Sequence, residues 1–147
     1  MKQNNFILKN ENAVYYECSY SCDNQIFINL GDESYLITDA RYEIEAKQLA
    51  KVSEVIITND LIKMAQTLLQ KSNIKKIYFD PHDFSYATYL DLTNDLNINF
   101  IKKPNFSKLK RLIKTDDELK LLSKAMKIGR KGFVKFKHYI DNQNKNK

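Results

Sequence analysis

"SEVIITNDLIKMAQTLLQKSNIKKIYFDP", residues 53–81, holds one turn of the pattern from which the chain is built. Residues 53–58 form a continuous apolar run of strand length, the mark of a strand buried on both faces. Asn59 and Asp60 then offer a helix cap, and Leu61, Met64, Ala65 and Leu68 follow at helical spacing. Residues 75–81 are β-rich again and stop at Pro81. The same helix–strand alternation continues in both directions. Downstream, 85–96 reads as a helix capped by Asp83 or Ser85, and 97–103 as a strand stopped by Pro104. Upstream, 40–51 reads as a helix with Tyr42, Ala46, Leu49 and Ala50 near one face. Before it, "QIFINL-GDES-YLITD" (25–39) is a hairpin turning at Gly31 and Asp32. Residues 6–10 make a short strand, 13–24 read as irregular, and 106–114 as a short helical or extended link.

Strands alternating with helices of about a dozen residues specify an α/β sheet covered on both faces, and a hairpin ahead of the crossovers makes the sheet mixed. The expected organisation is an α/β domain over 1–112, a linker helix over 113–138 and a polar tail over 139–147. That tail ends in "DNQNKNK", which carries no folding signal, and the helical pattern itself is expected to stop near Phe136.

A chain of 147 residues with 43% apolar content is long enough to bury a real core. No apolar run approaches the ~18 residues of a membrane span, and the start has no signal-peptide pattern, so the expected location is cytoplasmic. Cys18 and Cys22 fit a reduced compartment; a disulfide or half of a metal site is open to them, but the second ligand pair is missing. The net charge of +6 is unevenly spread. Residues 1–101 hold 9 basic and 14 acidic side chains, whereas 102–147 hold 15 and 4. A basic end suits nucleic acid, an anionic membrane or an acidic protein surface. Arginine occurs only at 41, 111 and 130, which argues against bidentate reading of bases, and a lysine-, asparagine- and isoleucine-rich composition is also what genome bias produces.

The chemistry-bearing motifs are few. There is no HExxH, no paired CxxC, and three glycines cannot build a phosphate loop. His82, in "DPHDF" past a strand end, reads better as a turn residue than as an active-site group, and His138 as solvated. Asp39 and Arg41, in "TDARY", could bind a ligand, but Asp39 capping the next helix and Arg41 pairing with a carboxylate is the favoured reading. Tyr15, Tyr16 and Tyr20 could line a pocket rim or be half-buried loop residues.

"RLIKTDDELKLLSKA" (111–125) opens the last helix with a capping box at Thr115 and Glu118 and acidic residues in the first turn. Leu119, Leu122, Met126, Gly129, Phe133 and Phe136 then form an apolar stripe, beside a second stripe of lysines at 120, 124, 127, 131 and 135. Such a helix exceeds 30 Å at ~1.5 Å per residue. A small domain covers only part of it, so the stripe calls for another domain, subunit or surface. Gly129 and Gly132 within it suggest close packing of another element.

"AVYYECSY", "YLITDARYEIEAK" and "RLIKTDDELKLLSKAMKIGRKGF" together resemble, in order and spacing, the creatinase/prolidase N-terminal domain, the leading domain of Xaa-Pro aminopeptidases and dipeptidases. Thr38, Asp39, Arg41, Tyr42, Glu45 and Ala46 match its strand–helix motif; Arg111, Ile113, Lys114, Glu118 and Ala125 match its closing motif. The family's Tyr-Leu-x-Gly-Phe-like stretch departs here to "YYECSYSCDN", with no glycine.

The resemblance implies a three-layer α/β/α fold with a mixed, about six-stranded sheet, of ribonuclease H-like architecture, and a long C-terminal linker helix. It implies that Tyr16, Tyr20 and Asp23 belong to a substrate-access or intersubunit loop. It makes Leu119, Leu122, Met126, Phe133 and Phe136 an interdomain stripe toward a catalytic pita-bread domain. That domain, which would hold two divalent metals (Mn, Co or Zn), is not in this sequence. The expected protein is therefore a non-catalytic N-terminal fragment of a metal-dependent Xaa-Pro peptidase, serving oligomerisation and active-site access. Its expected state is a homodimer, with no catalytic or metal-binding residue, nucleic acid or membrane partner of its own. The runner-up is a stand-alone α/β binding module whose basic helix contacts nucleic acid or an acidic protein. A third reading is an enzyme with a site around Asp39, His82 and the tyrosines.

Overall fold

The computed structural model describes residues 5–145, and these fall into two compact units that divide after Lys110. In the first, strands β1 (Asn5–Leu8), β2 (Gln25–Leu30), β3 (Glu33–Thr38), β4 (Glu54–Ile57), β5 (Lys76–Phe79) and β6 (Asn99–Lys102) form one six-stranded sheet. Their order is β4-β3-β2-β1-β5-β6. β1–β2 and the β2–β3 hairpin are antiparallel, and β1–β5, β3–β4 and β5–β6 are parallel. Only β2 therefore runs against the other five. Gly31 turns the β2–β3 hairpin with φ +68°, a conformation that costs glycine nothing.

Side chains alternate across the sheet with period two. Ile7, Ile26, Ile28, Ile37, Ile77 and Phe79 point to one face. There they meet α3 (Leu61–Lys71), through Leu61, Ala65 and Leu69, and α4 (Tyr86–Thr93), through Leu92. Phe6, Leu8, Phe27 and Leu36 point to the other. That face is covered by α1 (Glu11–Cys18), α2 (Glu43–Leu49) and α5 (Phe106–Lys110), through Val14, Ala46 and Phe106. The result is the three-layer α/β/α sandwich that the alternation specifies.

Two expectations for the first unit need correcting, and one alternative is decided. Residues 11–18 are helical, not irregular: Asn10 Oδ1 accepts from the Ala13 amide at 3.1 Å, and Ser19 closes the helix in the left-handed region at φ 63°. Two tyrosines and a cysteine are weak helix formers, so the helix is held by its caps and by burial of Ala13, Val14 and Cys18. β4, read as a buried strand, lies at the sheet edge and is half-exposed, because only β3 pairs with it. The helical cap at 85–96 is Ser85, whose Oγ accepts from the Thr88 amide at 3.1 Å.

The second unit is α6, Asp116–Lys145. Its start is as expected. Glu118 Oε2 accepts from the Thr115 amide at 2.8 Å, and Thr115 Oγ1 accepts from the Glu118 amide at 3.3 Å. Its end is not. The helix continues past Phe136 through most of the expected tail, since 137–145 contains no proline or glycine and its lysines and Gln143 are good helix formers. Residues 146–147 of that tail lie outside the described residues. No helix among the described residues is long and apolar enough to cross a membrane.

Candidate functional site

The carboxyl ends of parallel strands are where open α/β sheets place their ligands. At that edge the chain gathers most of its buried and paired polar groups, in two clusters.

The first lies where β3 ends. Asp39 is the cap of a single 3-10 turn, Ala40–Tyr42, that leads into α2. Its carboxylate takes the Arg41 amide at 3.0 Å, Arg41 Nε at 3.0 Å, the Arg41 guanidinium at 2.8 Å and Asn24 Nδ2 at 2.6 Å. Arg41 also stands 3.6 Å from Asp23 and 5.0 Å over the Tyr42 ring, and the Tyr42 hydroxyl donates to Asp23 at 2.7 Å. The hydrogen bonds from Arg41, then Asn24, hold the Asp39 carboxyl well below the usual carboxylate range, and the same bond raises Arg41. Neither group changes charge near neutral pH. The corner therefore positions a loop and moves no proton.

Beneath it, Thr38 is fully buried and donates its Oγ1 proton to the Asn24 carbonyl at 2.7 Å. The Cys22 thiol, 3.3 Å from that oxygen, must then be the donor in their contact. Gln25 Oε1 accepts from the Cys22 amide at 3.0 Å. Cys18 and Cys22 are both free and buried, and burial pushes both thiols up. The Tyr20 hydroxyl is buried toward Cys22 and Glu45 without a hydrogen-bond partner, and burial pushes it up to about 12.

The second cluster lies where β5 ends. Asp80 is buried; its Oδ1 accepts from the His82 amide at 3.0 Å and meets His82 Nδ1 at 2.8 Å, while its Oδ2 accepts from the Asn105 amide at 2.6 Å. Asp83 Oδ2 accepts from the Lys9 and Asn10 amides at 3.5 and 3.3 Å, and burial raises its carboxyl. These two aspartates tie the end of β5 to the starts of α5 and α1.

The structure thus brings Asp23, Asp39, Arg41 and Tyr42 together. It does not bring His82 to them: β2 and β1 stand between β3 and β5, a separation of roughly 14 Å at ~4.8 Å per strand. Tyr16 is part of α1, with Lys110 Nζ 5.5 Å from its ring, and Tyr20 is core. In the second unit, Lys114 donates to the carbonyls of Arg111 and Leu112 at 2.6 and 3.2 Å, and Glu118 serves the capping box, so that motif shapes the entry to α6. Leu119, Leu122, Met126, Phe133 and Phe136 are all exposed.

Asn24 and Asp80 escaped the reading of the sequence, and Asp83, offered there as a helix cap, instead holds the Lys9 and Asn10 amides. A carboxylate at each end of "DPHD" was the available signal for the two aspartates.

The donor set does not fit a resident divalent metal. Among the described residues no three His, Cys, Asp or Glu side chains are grouped to hold one, and Asp39, Asp80 and Asp83 are each occupied by donors of this chain.

The three-layer sandwich thus carries at its sheet edge a motif-bearing corner that orders a loop. Residues 3–116 match the creatinase/prolidase N-terminal domain, and the chain belongs to that family. It is 26% identical over 129 residues to the uncharacterized peptidase YqhT of Bacillus subtilis (strain 168), covering 86% of this chain and 36% of that protein. Its fold is that of an X-Pro aminopeptidase from Thermotoga maritima (TM-score 0.79, 22% identity, 92% of this chain and 40% of that one). It is also similar to the creatinase/prolidase N-terminal domain of an X-Pro dipeptidase from Streptococcus pyogenes (TM-score 0.58, 15% identity), covering 68% of this chain and 87% of that one. The chain therefore spans little more than a third of the curated relative it matches, but most of a solved N-terminal domain.

Proposed function

We propose that the chain is the non-catalytic N-terminal part of a metal-dependent Xaa-Pro peptidase, of the aminopeptidase P or prolidase type. The observation that carries this reading is the coverage: about 40% of a whole X-Pro aminopeptidase against 87% of an isolated N-terminal domain. Cleavage before proline, and the two divalent ions (Mn, Co or Zn) that would bridge and activate water, then belong to the part of such an enzyme that this chain does not span. Residues 1–112 act in assembly and in narrowing access to the active site. Of Tyr16, Tyr20 and Asp23, only Asp23, bound by Arg41 and Tyr42, stands on an exposed loop that can serve as the access or intersubunit element; Tyr16 lies on α1 and Tyr20 in the core. Residues 113–138 are the joint, whose exposed Leu119–Phe136 stripe seats the catalytic pita-bread domain. The assembled protein is a cytoplasmic homodimer with neither nucleic acid nor membrane as partner.

The test is a cleavage assay on proline-containing peptides with added manganese. The 147-residue chain is expected to give no turnover; metal-dependent release of the residue before proline would overturn the reading. The runner-up, a basic helix on nucleic acid, predicts binding that falls steeply with salt; no binding at low salt removes it.

A further inference from the structure

We propose that Lys110 is a latch that couples segment 111–115, by which the chain leaves the sheet unit, to the 19–24 loop that carries Asp23. The inference rests on the preceding reading only for the use it gives that loop, as an access or intersubunit element.

The latch is a contact of several parts. Lys110 is the last residue of α5 and of the sheet unit. Its Nζ donates to both carboxylate oxygens of Glu17, at 2.6 and 2.8 Å. It also lies 5.7 Å from the centre of the Phe6 ring and 5.5 Å from that of Tyr16. The ammonium therefore meets two aromatic rings and a carboxylate, each of which favours a cation. The Glu17 side chain is only 12% exposed.

Glu17 needs that cation. It stands in the last turn of α1, where the helix dipole disfavours an acid, and α1 has no basic residue of its own there. Lys110 supplies the missing positive charge from an element 93 positions away in sequence. Withdrawing it leaves a nearly buried carboxylate at the negative end of a helix, so the last turn of α1 loosens before the sheet does.

The end of α5 needs the pair as well. Five residues do not hold a helix by themselves. The start of α5 is fixed by the bond from the Asn105 amide to Asp80 and by Phe106, edge-on to Phe6 at 5.9 Å. Near its end Leu109 is exposed, and Lys110 reaches back to α1.

Beyond the latch lies the loop. α1 closes on Ser19, whose amide donates to the Tyr15 carbonyl at 2.7 Å. The chain then runs to β2 with the Cys22 amide on Gln25 Oε1 and with Asp23 bound by Arg41 and Tyr42. A displacement of 111–115 that draws Lys110 away is thus felt at the 19–24 loop through one turn of helix. By linkage, a partner that fixes this loop also tightens the exit of the chain.

Hydrogen exchange of the 147-residue chain, read amide by amide, tests the coupling. Lys110→Met keeps the stem and removes the charge. It is expected to speed exchange roughly tenfold at Leu109, Ser19 and Cys22, while Ile28, fully buried in β2, keeps its rate. Lys110→Arg retains a cation for the carboxylate and the rings and is expected to stay within about twofold of the parent. Glu17→Gln, approached from the other side, is expected to speed Leu109 as Lys110→Met does, and the double variant to add nothing there. Ser19 and Cys22 unmoved in Lys110→Met, whether or not Leu109 accelerates, overturn the coupling. An equal rise at all four amides, Ile28 included, also overturns it, because that marks a general loss of stability. None of these outcomes touches the peptidase-domain reading, which stands or falls on the cleavage assay.

Discussion

Helix α1 is eight residues long, is capped by Asn10, ends on a left-handed serine and buries Ala13, Val14 and Cys18. Helix α6 is thirty residues long, opens on a complete capping box and leaves Leu119, Leu122, Met126, Phe133 and Phe136 exposed. The short one is a helix because the sheet beneath it and two caps leave its backbone no cheaper arrangement. The long one is a helix from its own residues, and its apolar face is unspent. The difference separates a unit held by its core from a helix whose apolar face is exposed, and it locates where each kind of substitution should be felt.

The largest contrast is in apolar truncation. Leu8→Ala, in the core beside α1, should lower the free energy of unfolding by ~2–5 kcal/mol in urea. Leu119→Ala on α6 should leave the sheet unit's transition within about 0.5 kcal/mol of the parent; equal losses would erase the distinction. Next come the caps. Asn10→Ala should cost ~1 kcal/mol in that same transition, whereas Thr115→Ala should lower helical circular dichroism and leave the transition in place. A smaller gain is expected at Ser19, which holds φ 63° without being glycine. Ser19→Gly should stabilise the domain by ~0.5–1 kcal/mol in thermal or urea unfolding, and Tyr20→Phe, which deletes a buried hydroxyl without a partner, should be neutral or better.

The smallest effect is electrostatic, because the Asp39–Arg41 pair is solvent-screened. The folded carboxyl is lowered from its ordinary 3.8. Its contribution is therefore present above the unfolded value and lost as pH falls through the folded one. Asp39→Asn should flatten the acid limb of the stability–pH curve below about pH 4 and leave its shape above pH 6 unchanged; an unchanged acid limb would remove the corner from the account.

Much of the architecture is legible in the sequence where local and tertiary demands agree. The 53–81 strand–helix–strand, the Gly31 hairpin and the 115–118 capping box combine periodicity with turn or cap residues that permit few alternatives. Where tertiary context decides, the sequence is silent. Tyr15, Tyr16 and Cys18 do not announce a helix, and "SEVIIT" looks the same at a sheet edge as in its middle. The strand order puts β1 between β2 and β5, which no run of residues states. For the candidate site, the "TDARY" corner was visible as Asp39 capping and Arg41 pairing, and the structure adds Asn24 and Asp23 to it. The Asp80 and Asp83 clamps depend on backbone amides distant in sequence, Asn105 and Lys9–Asn10, and so could not be read from spacing.

The central proposal is that this chain serves assembly and active-site access, with the active site in a part of the enzyme that it does not span. Calorimetric titration of the 147-residue chain with manganese, cobalt and zinc tests it most directly. The account predicts no saturable binding at micromolar metal. Saturable uptake of two ions per chain, with cleavage of an Xaa-Pro peptide following it, would contradict it.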